Sequence, residues 1–222
     1  MRDEQHIEYK TVNKLGAAEI VEKKSRFIAS VKPVASEQEA VKFISELKSK
    51  YWDATHNVYA YIIGSNYVQR YSDDGEPSGT AGIPTLEIIK KEQLQDVVVV
   101  VTRYFGGTLL GAGGLVRAYG KSAKEGLIAA GIITMRLCDC ITIRSDYTLL
   151  GKIQNEIVGD GHIIEEIIYQ EDVAIQVLVH TQLTEQFINN MIDVTSGRVD
   201  IEKTDTKYIA TDEQGKLVAE NT

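Results

Sequence analysis

Val173-Ala-Ile-Gln-Val-Leu-Val-His180 has a period of two, with Val173, Ile175, Val177 and Val179 on one face and Ala174, Gln176, Leu178 and His180 on the other. That spacing predicts a β-strand with one face in a core. The neighbours extend the reading in both directions. Upstream, Glu171-Asp172 reads as a turn and residues 162–170 as an isoleucine-rich strand. Before that, Leu149, Leu150, Ile153 and Ile157 recur at helical spacing, with Asp146 as a candidate cap and Gly159 and Gly161 as stops. Residues 137–144 are a β-branched run. Downstream, Leu183, Phe187, Met191 and Val194 return to helical spacing until Gly197, and Val199 and Ile201 alternate with Asp200 and Glu202. The order β-α-β-β-α-β predicts a ferredoxin-like domain, two helices on one face of a four-stranded antiparallel sheet. That fold hosts many functions and names none.

Charge divides the chain at the same place. The 222 residues include 24 Lys+Arg and 32 Asp+Glu, a net charge of −8. Residues 1–136 carry a net +2 and residues 137–222 a net −10. Eleven of the 18 glycines lie from Gly75 to Gly131. These shifts predict an α+β chain of two domains, 1–136 and 137–206, with a tail at 207–222. The first domain is therefore not excluded from anion binding by the bulk charge. No apolar run reaches the roughly 20 residues that span a membrane. Residues 1–10 carry no apolar stretch of a secretory signal. Cys138 and Cys140 cannot form a disulfide framework, and packing in a core is the reading favoured for them. A cytoplasmic protein with no membrane partner is expected.

The N-terminal half reads as α+β. Residues 19–34 are expected to be extended. Ser36 and Glu39 have capping-box spacing and open a helix with Val41, Ile44 and Leu47 inward. Residues 58–63 and 67–71 suggest a hairpin around Gly64-Ser65-Asn66. Val97 to Val101, five valines, predict a strand buried on both faces. A helix from near Gly113 to Ala130 puts Leu115, Tyr119, Ala123, Leu127 and Ala130 on one face.

Three segments can carry chemistry. In Thr102-Arg-Tyr-Phe-Gly-Gly-Thr-Leu-Leu-Gly-Ala-Gly-Gly114, Gly106, Gly107, Gly111, Gly113 and Gly114 free the backbone for positive φ and close approach before a helix N-terminus, which suits an anion. Arg117, Lys121 and Lys124 share a helix face and, with Arg103, suggest a cationic surface for a phosphate backbone. Tight helix–sheet packing and a solvated face account for the same residues. The segment fits neither a Walker A loop nor a dinucleotide fingerprint. In Ser72-Asp-Asp-Gly-Glu-Pro-Ser-Gly-Thr-Ala-Gly82, the carboxylates of Asp73, Asp74 and Glu76 offer oxygens to a hard cation such as Mg²⁺, and Asp-Gly and Pro-x-Gly equally form turns. His56 stands near these acids if the hairpin closes, as a base or as a loop hydrogen bonder.

The strings 72–82, Val99-Val-Val-Thr-Arg-Tyr-Phe-Gly-Gly107 and Leu110-Gly-Ala-Gly-Gly-Leu-Val-Arg-Ala-Tyr119 resemble the signature of the IMPACT family in its bacterial YigZ/YvyE branch, as do Ser25-Arg-Phe-Ile28 and Ala54-Thr-His-Asn57. The resemblance covers nearly the whole chain. It implies an N-terminal domain similar to the second domain of ribosomal protein S-five and to domain four of elongation factor G, followed by a ferredoxin-like domain similar to domain five of that factor. Many bacterial members have arginine where this chain has Ile62. The eukaryotic member's extra domain, which competes for the activator of a translation kinase, has no counterpart before Met1, so that partner is not implied.

Together these readings favour a cytoplasmic binding protein linked to translation and its regulation, without a cofactor. It would touch RNA or a ribosome-like surface through the N-terminal domain, and its acidic C-terminal domain would suit a basic protein partner. The competing class is an enzyme acting on a phosphorylated or nucleotide-like substrate, with His56 as base and Mg²⁺ held by Asp73, Asp74 and Glu76.

Overall fold

The five valines organise the first unit. In β6 (Val97–Tyr104), Val97, Val99 and Val101 enter one core and Val98 and Val100 enter another, because successive side chains of a strand point to opposite faces. A strand buried on both faces has no position for a polar side chain until its end. The computed structural model describes residues 7–64, 68–212 and 214–218. Within it β6 is the central strand of a five-stranded antiparallel sheet. The order is β2 (Gly16–Glu22), β3 (Ser25–Pro33), β6, β4 (His56–Ile63) and β5 (Val68–Ser72). Helix α1 (Glu37–Lys50) covers one face through Ala40, Phe43, Ile44 and Leu47. Helices α2 (Gly82–Lys91) and α3 (Ala112–Ala130) cover the other with Leu86, Ile89, Leu115, Tyr119 and Leu127. Strand β1 (Glu8–Val12) belongs to this unit, and just beyond it Asn13 N–H donates to Gly131 O at 2.8 Å.

Local signals explain most of these elements. Ser36 accepts from Glu39 N–H at 3.3 Å, and the Glu39 carboxylate accepts from Ala35 N–H at 2.9 Å, so the capping residues act in both directions. Val41 is exposed and Phe43 takes the inward place expected of it. The extended segment 19–34 is two strands that reverse at Lys23-Lys24. Helix α2 was not foreseen, because Gly82 and Pro84 read as loop residues, although proline is tolerated in a first turn. The expected turn at Ser65-Asn66 lies outside the described residues.

The second unit spans residues 135–209. Its elements are β7 (Ile132–Ser145), α4 (Leu150–Gly159), β8 (Ile163–Tyr169), β9 (Val173–His180), α5 (Thr184–Thr195) and β10 (Asp200–Thr211). The strands pair in the order β10-β7-β9-β8, the ferredoxin-like arrangement the alternation predicts. Val173, Ile175, Val177 and Val179 pack with Ile153, Ile157, Phe187 and Met191. Leu178, on the opposite face, meets Cys138 and Ile209. Burial pushes the Cys138 thiol up to about 11, so it packs there as a small apolar group. Asp146 makes no side-chain cap, and a single 3-10 turn, Tyr147–Leu149, precedes α4. Strand β10 continues to Thr211, through the first five residues of the expected tail, and the described residues from Ala210 onward group with the first unit.

Two glycines of α3 test the packing in opposite directions. A Cβ on Gly126 would lie 2.7 Å from Ala29 Cβ and 2.9 Å from Val31 Cγ2, whereas one on Gly120 would meet only Ile88 carbons at 3.8 Å. Gly120→Ala is expected to raise stability by about 0.5–1 kcal/mol through helix propensity. Gly126→Ala is expected to lower it by about 1–2 kcal/mol, since the clash with β3 outweighs the same propensity gain. Urea unfolding of the two variants checks the difference in sign.

Candidate nucleic-acid interface

Arg103 is where the valine strand runs out of apolar partners. It follows Val97, Val99 and Val101 on the same face, and its cross-strand neighbours are Phe27 and His56. The side chain is 6% exposed. Its Nη1 donates to Glu76 Oε1 at 2.5 Å and its Nη2 to Ser25 Oγ at 3.4 Å, while Nε has no partner. The guanidinium carbon lies 5.4 Å from the centre of the Phe27 ring and 5.6 Å from that of Phe105. Arg103 therefore does not join a surface for phosphates. A residue at this strand position points inward, and its charge is balanced by a carboxylate.

Glu76 is the other half of this buried pair. Besides Arg103, its Oε1 accepts the Tyr119 hydroxyl at 2.8 Å and lies 3.8 Å from His56 Nε2. Burial, with Glu76 beside it, raises the Tyr119 phenol well above its usual range, so Tyr119 stays a donor. His56 Nδ1 is 2.8 Å from the Asp74 carbonyl oxygen. A carbonyl only accepts, so Nδ1 carries the hydrogen and Nε2 faces Glu76. The cluster joins β4, β6, α3 and the 73–81 loop.

The three acids offered to a cation face three different sets of protein donors. Asp73 accepts from Gly79, Ala81 and Gly82 N–H at 2.8–3.0 Å. It thus supplies an anion to the N-terminus of α2, which has no acid in its own first turn. Asp74 accepts from Lys48 Nζ and Asn57 N–H, each at 2.6 Å. Among the described residues, no group of three His, Cys, Asp or Glu stands where it could hold a metal ion.

The other cations of the glycine-rich segment do face solvent. Arg117, Lys121 and Lys124 are exposed on α3, and none makes an ion pair or side-chain hydrogen bond among the described residues. Between β2 and α3 runs a groove of about 230 Å³, lined by Ile20, Glu22 and Lys23 on one side and by Leu110, Arg117 and Lys121 on the other. Lys124 does not line it. Gly111 caps α3 without any side-chain bond, and Ala112 and Gly113 beside it are exposed. The helix thus presents unpaired N–H groups and a partial positive charge.

The glycines serve two purposes. Gly107 and Gly111 have φ of +79° and +72° with open space beside them. A Cβ on Gly106 would lie 2.1 Å from the Lys24 carbonyl carbon, so its close approach is to the β2–β3 turn and not to a ligand. Gly114 likewise accommodates Leu110. Gly113 is open apart from Arg117 Nη1.

Lys23, the bond from Arg103 to Ser25 and the role of the Tyr119 hydroxyl are not legible in the sequence. Tyr119 was placed in the core by periodicity, and the signal available was that a buried Tyr hydroxyl needs a partner. Lys23 and Lys24 gave none. They have φ of 44° and 68° in a two-residue hairpin loop, a backbone that Asn-Gly adopts with least strain.

The buried pair makes a direct prediction. Glu76→Gln leaves the Arg103 charge without its counter-ion and is expected to cost about 3–5 kcal/mol of stability. Tyr119→Phe removes one donor and is expected to cost about 1–2 kcal/mol. Urea denaturation at neutral pH measures both.

The comparisons with known proteins agree with this architecture. The Impact N-terminal domain model matches residues 23–127, and a domain of unknown function, DUF1949, matches residues 143–198. IMPACT family member YvyE of Bacillus subtilis is 48% identical over 90% of this chain and 93% of its own length. IMPACT family member YigZ of Escherichia coli is 32% identical over 81% of this chain and 89% of its own. A solved structure of a hypothetical protein superposes with a TM-score of 0.57 at 27% identity, covering 90% of this chain and 98% of that one. With matches of this length to both halves, the chain belongs to the IMPACT family.

Proposed function

We propose that this chain is a translation-associated protein that binds the phosphate backbone of RNA in the groove between β2 and α3. The observation that carries the reading is a set of cations on that groove that make no ion pair or side-chain hydrogen bond among the described residues. Lys23, Arg117 and Lys121 surround it, and Glu22 is the acid that faces them. Cations without protein partners have no ion pair to break before they meet phosphates, and each contact releases counter-ions. The open N-terminal turn of α3 adds N–H donors next to Arg117. The net −10 of residues 137–222 keeps RNA off the second domain and suits a basic protein partner there.

The strained turn supports the same reading. A non-glycine residue at positive φ costs roughly 1–2 kcal/mol, and here two lysines bear that cost next to the groove. Lys23→Asn with Lys24→Gly is expected to raise stability by about 1 kcal/mol and to weaken RNA binding. Opposite signs in urea unfolding and RNA titration are the test, and unchanged binding contradicts the assignment of Lys23.

Binding itself is measured with a short labelled RNA titrated at several salt concentrations. Affinity is expected to fall steeply with salt. Arg117→Ala with Lys121→Ala is expected to weaken binding about tenfold and to flatten the log–log slope by about 1.4, two contacts at about 0.7 each. A slope and affinity equal to those of the parent remove the groove from the account.

A further inference from the structure

We infer that the RNA partner is single-stranded, and that its bases stack on Phe105 and Trp52 beside the cationic groove. This rests on the phosphate-binding reading above and adds what the ligand must look like. Trp52 is the chain's one tryptophan, stands just past the Tyr51 cap of α1 and is 82% exposed. Phe105 is 46% exposed and Leu109, in the same β6–α3 loop, is 83% exposed. Large apolar side chains left in solvent are open to a ligand, and these three lie on two loops that pack together.

Hydrogen bonds bring the two loops that carry them together. Phe105 N–H donates to Thr55 Oγ1 at 3.0 Å, Tyr104 Oη donates to Asp53 Oδ1 at 2.9 Å, and Thr55 N–H donates to Arg103 O at 2.9 Å. Trp52 is the neighbour of Asp53, so it sits on the loop docked against Phe105. The next residue, Gly106, lies against the backbone of Lys24, and Lys23 lines the groove with Arg117 and Lys121. An aromatic ledge, a lysine turn and a cationic groove are thus consecutive along one surface. Arg26, 5.5 Å over the Tyr104 ring, is held by Glu19 at 2.9 Å, and Asp53 is engaged by Tyr104. Glu22 and Asp53 both stand beside this path, and the Tyr104 hydroxyl that Asp53 accepts is uncharged.

This order of features selects the ligand. In a duplex the base faces are covered by their neighbours and only edges and phosphates are presented. In a single strand the faces are free, and an aromatic ring beside a phosphate-binding groove takes one without regard to sequence. A protein partner that covered Trp52 and Phe105 would leave Lys23, Arg117 and Lys121 without counter-charge unless it were acidic.

The experiment compares a labelled oligouridylate with a blunt RNA duplex of equal length, using the whole chain and the intrinsic fluorescence of Trp52. The single strand is expected to quench that fluorescence on binding and to bind about tenfold more tightly than the duplex. Trp52→Ala and Phe105→Leu are each expected to remove about fivefold or more of the single-strand affinity while leaving the salt slope unchanged; Trp52→Ala leaves the urea midpoint where it was, and Phe105→Leu lowers it slightly because the ring over Arg103 is lost. The leucine keeps the apolar bulk beside Arg103, which guards against a folding defect. Equal affinities for strand and duplex with unquenched Trp52 overturn the stacking inference and leave the groove reading intact. No binding of either RNA at about 50 mM salt overturns both. A Trp52 emission shift produced by a nuclease-treated protein fraction and not by RNA assigns the ledge to a protein and overturns the inference.

Discussion

A guanidinium and a carboxylate are buried where the central strand ends, and the first domain is arranged around that fact. Arg103 occupies the position that follows three inward valines, so its side chain must enter the core. An isolated charge there would be prohibitive. Glu76 resolves it, and to deliver Glu76 the 73–81 loop must fold over the sheet. Tyr119 and His56 then take the remaining positions around Glu76. Such a pair adds little net stability over an apolar substitute, because desolvation offsets attraction, but removing one partner is severe. Its effect is therefore positional. It ties α3 to β6 through Tyr119 and the loop through Glu76, and α3 carries one wall of the groove.

The groove inherits its rigidity from these contacts. Gly126 lets α3 approach β3 closely, and Gly106 lets the β6–α3 loop lie on the Lys23-Lys24 turn. Two surfaces that are distant in sequence, residues 20–24 and 110–121, become the two walls of one cleft. Rigid elements that carry exposed cations, without an ion pair among the described residues, are suited to a ligand that brings its own negative charge, since the backbone needs no ordering on binding.

The fold was legible where one physical period dominated. Alternation in β9, helical spacing in α3 and five valines in β6 each admit one structure, and the ferredoxin-like order followed from their succession. The family signature supplied the N-terminal fold that periodicity did not. What stayed hidden depended on tertiary partners. The Lys23-Lys24 reversal has no turn residue to announce it. Helix α2 begins at Gly82 because Asp73, nine residues earlier, caps it from outside. The same Asp-Asp-Gly-Glu string looked like a cation site, since spacing in sequence cannot show that its carboxylates turn to different donors. Arg103 and Arg117 were grouped as one surface because both are basic and near glycines. The strand's period of two already placed Arg103 on the buried face.

RNA bound in the groove would cover residues 20–26, the 104–114 loop and the start of α3. Hydrogen exchange of the full chain with and without a saturating single-stranded oligonucleotide reads this directly. Slowed exchange is expected in the Lys23-Lys24 turn, the 105–116 backbone and the 52–56 loop, with residues 135–209 unchanged. Protection confined to the acidic second domain, or spread over the opposite face around α1, would contradict it.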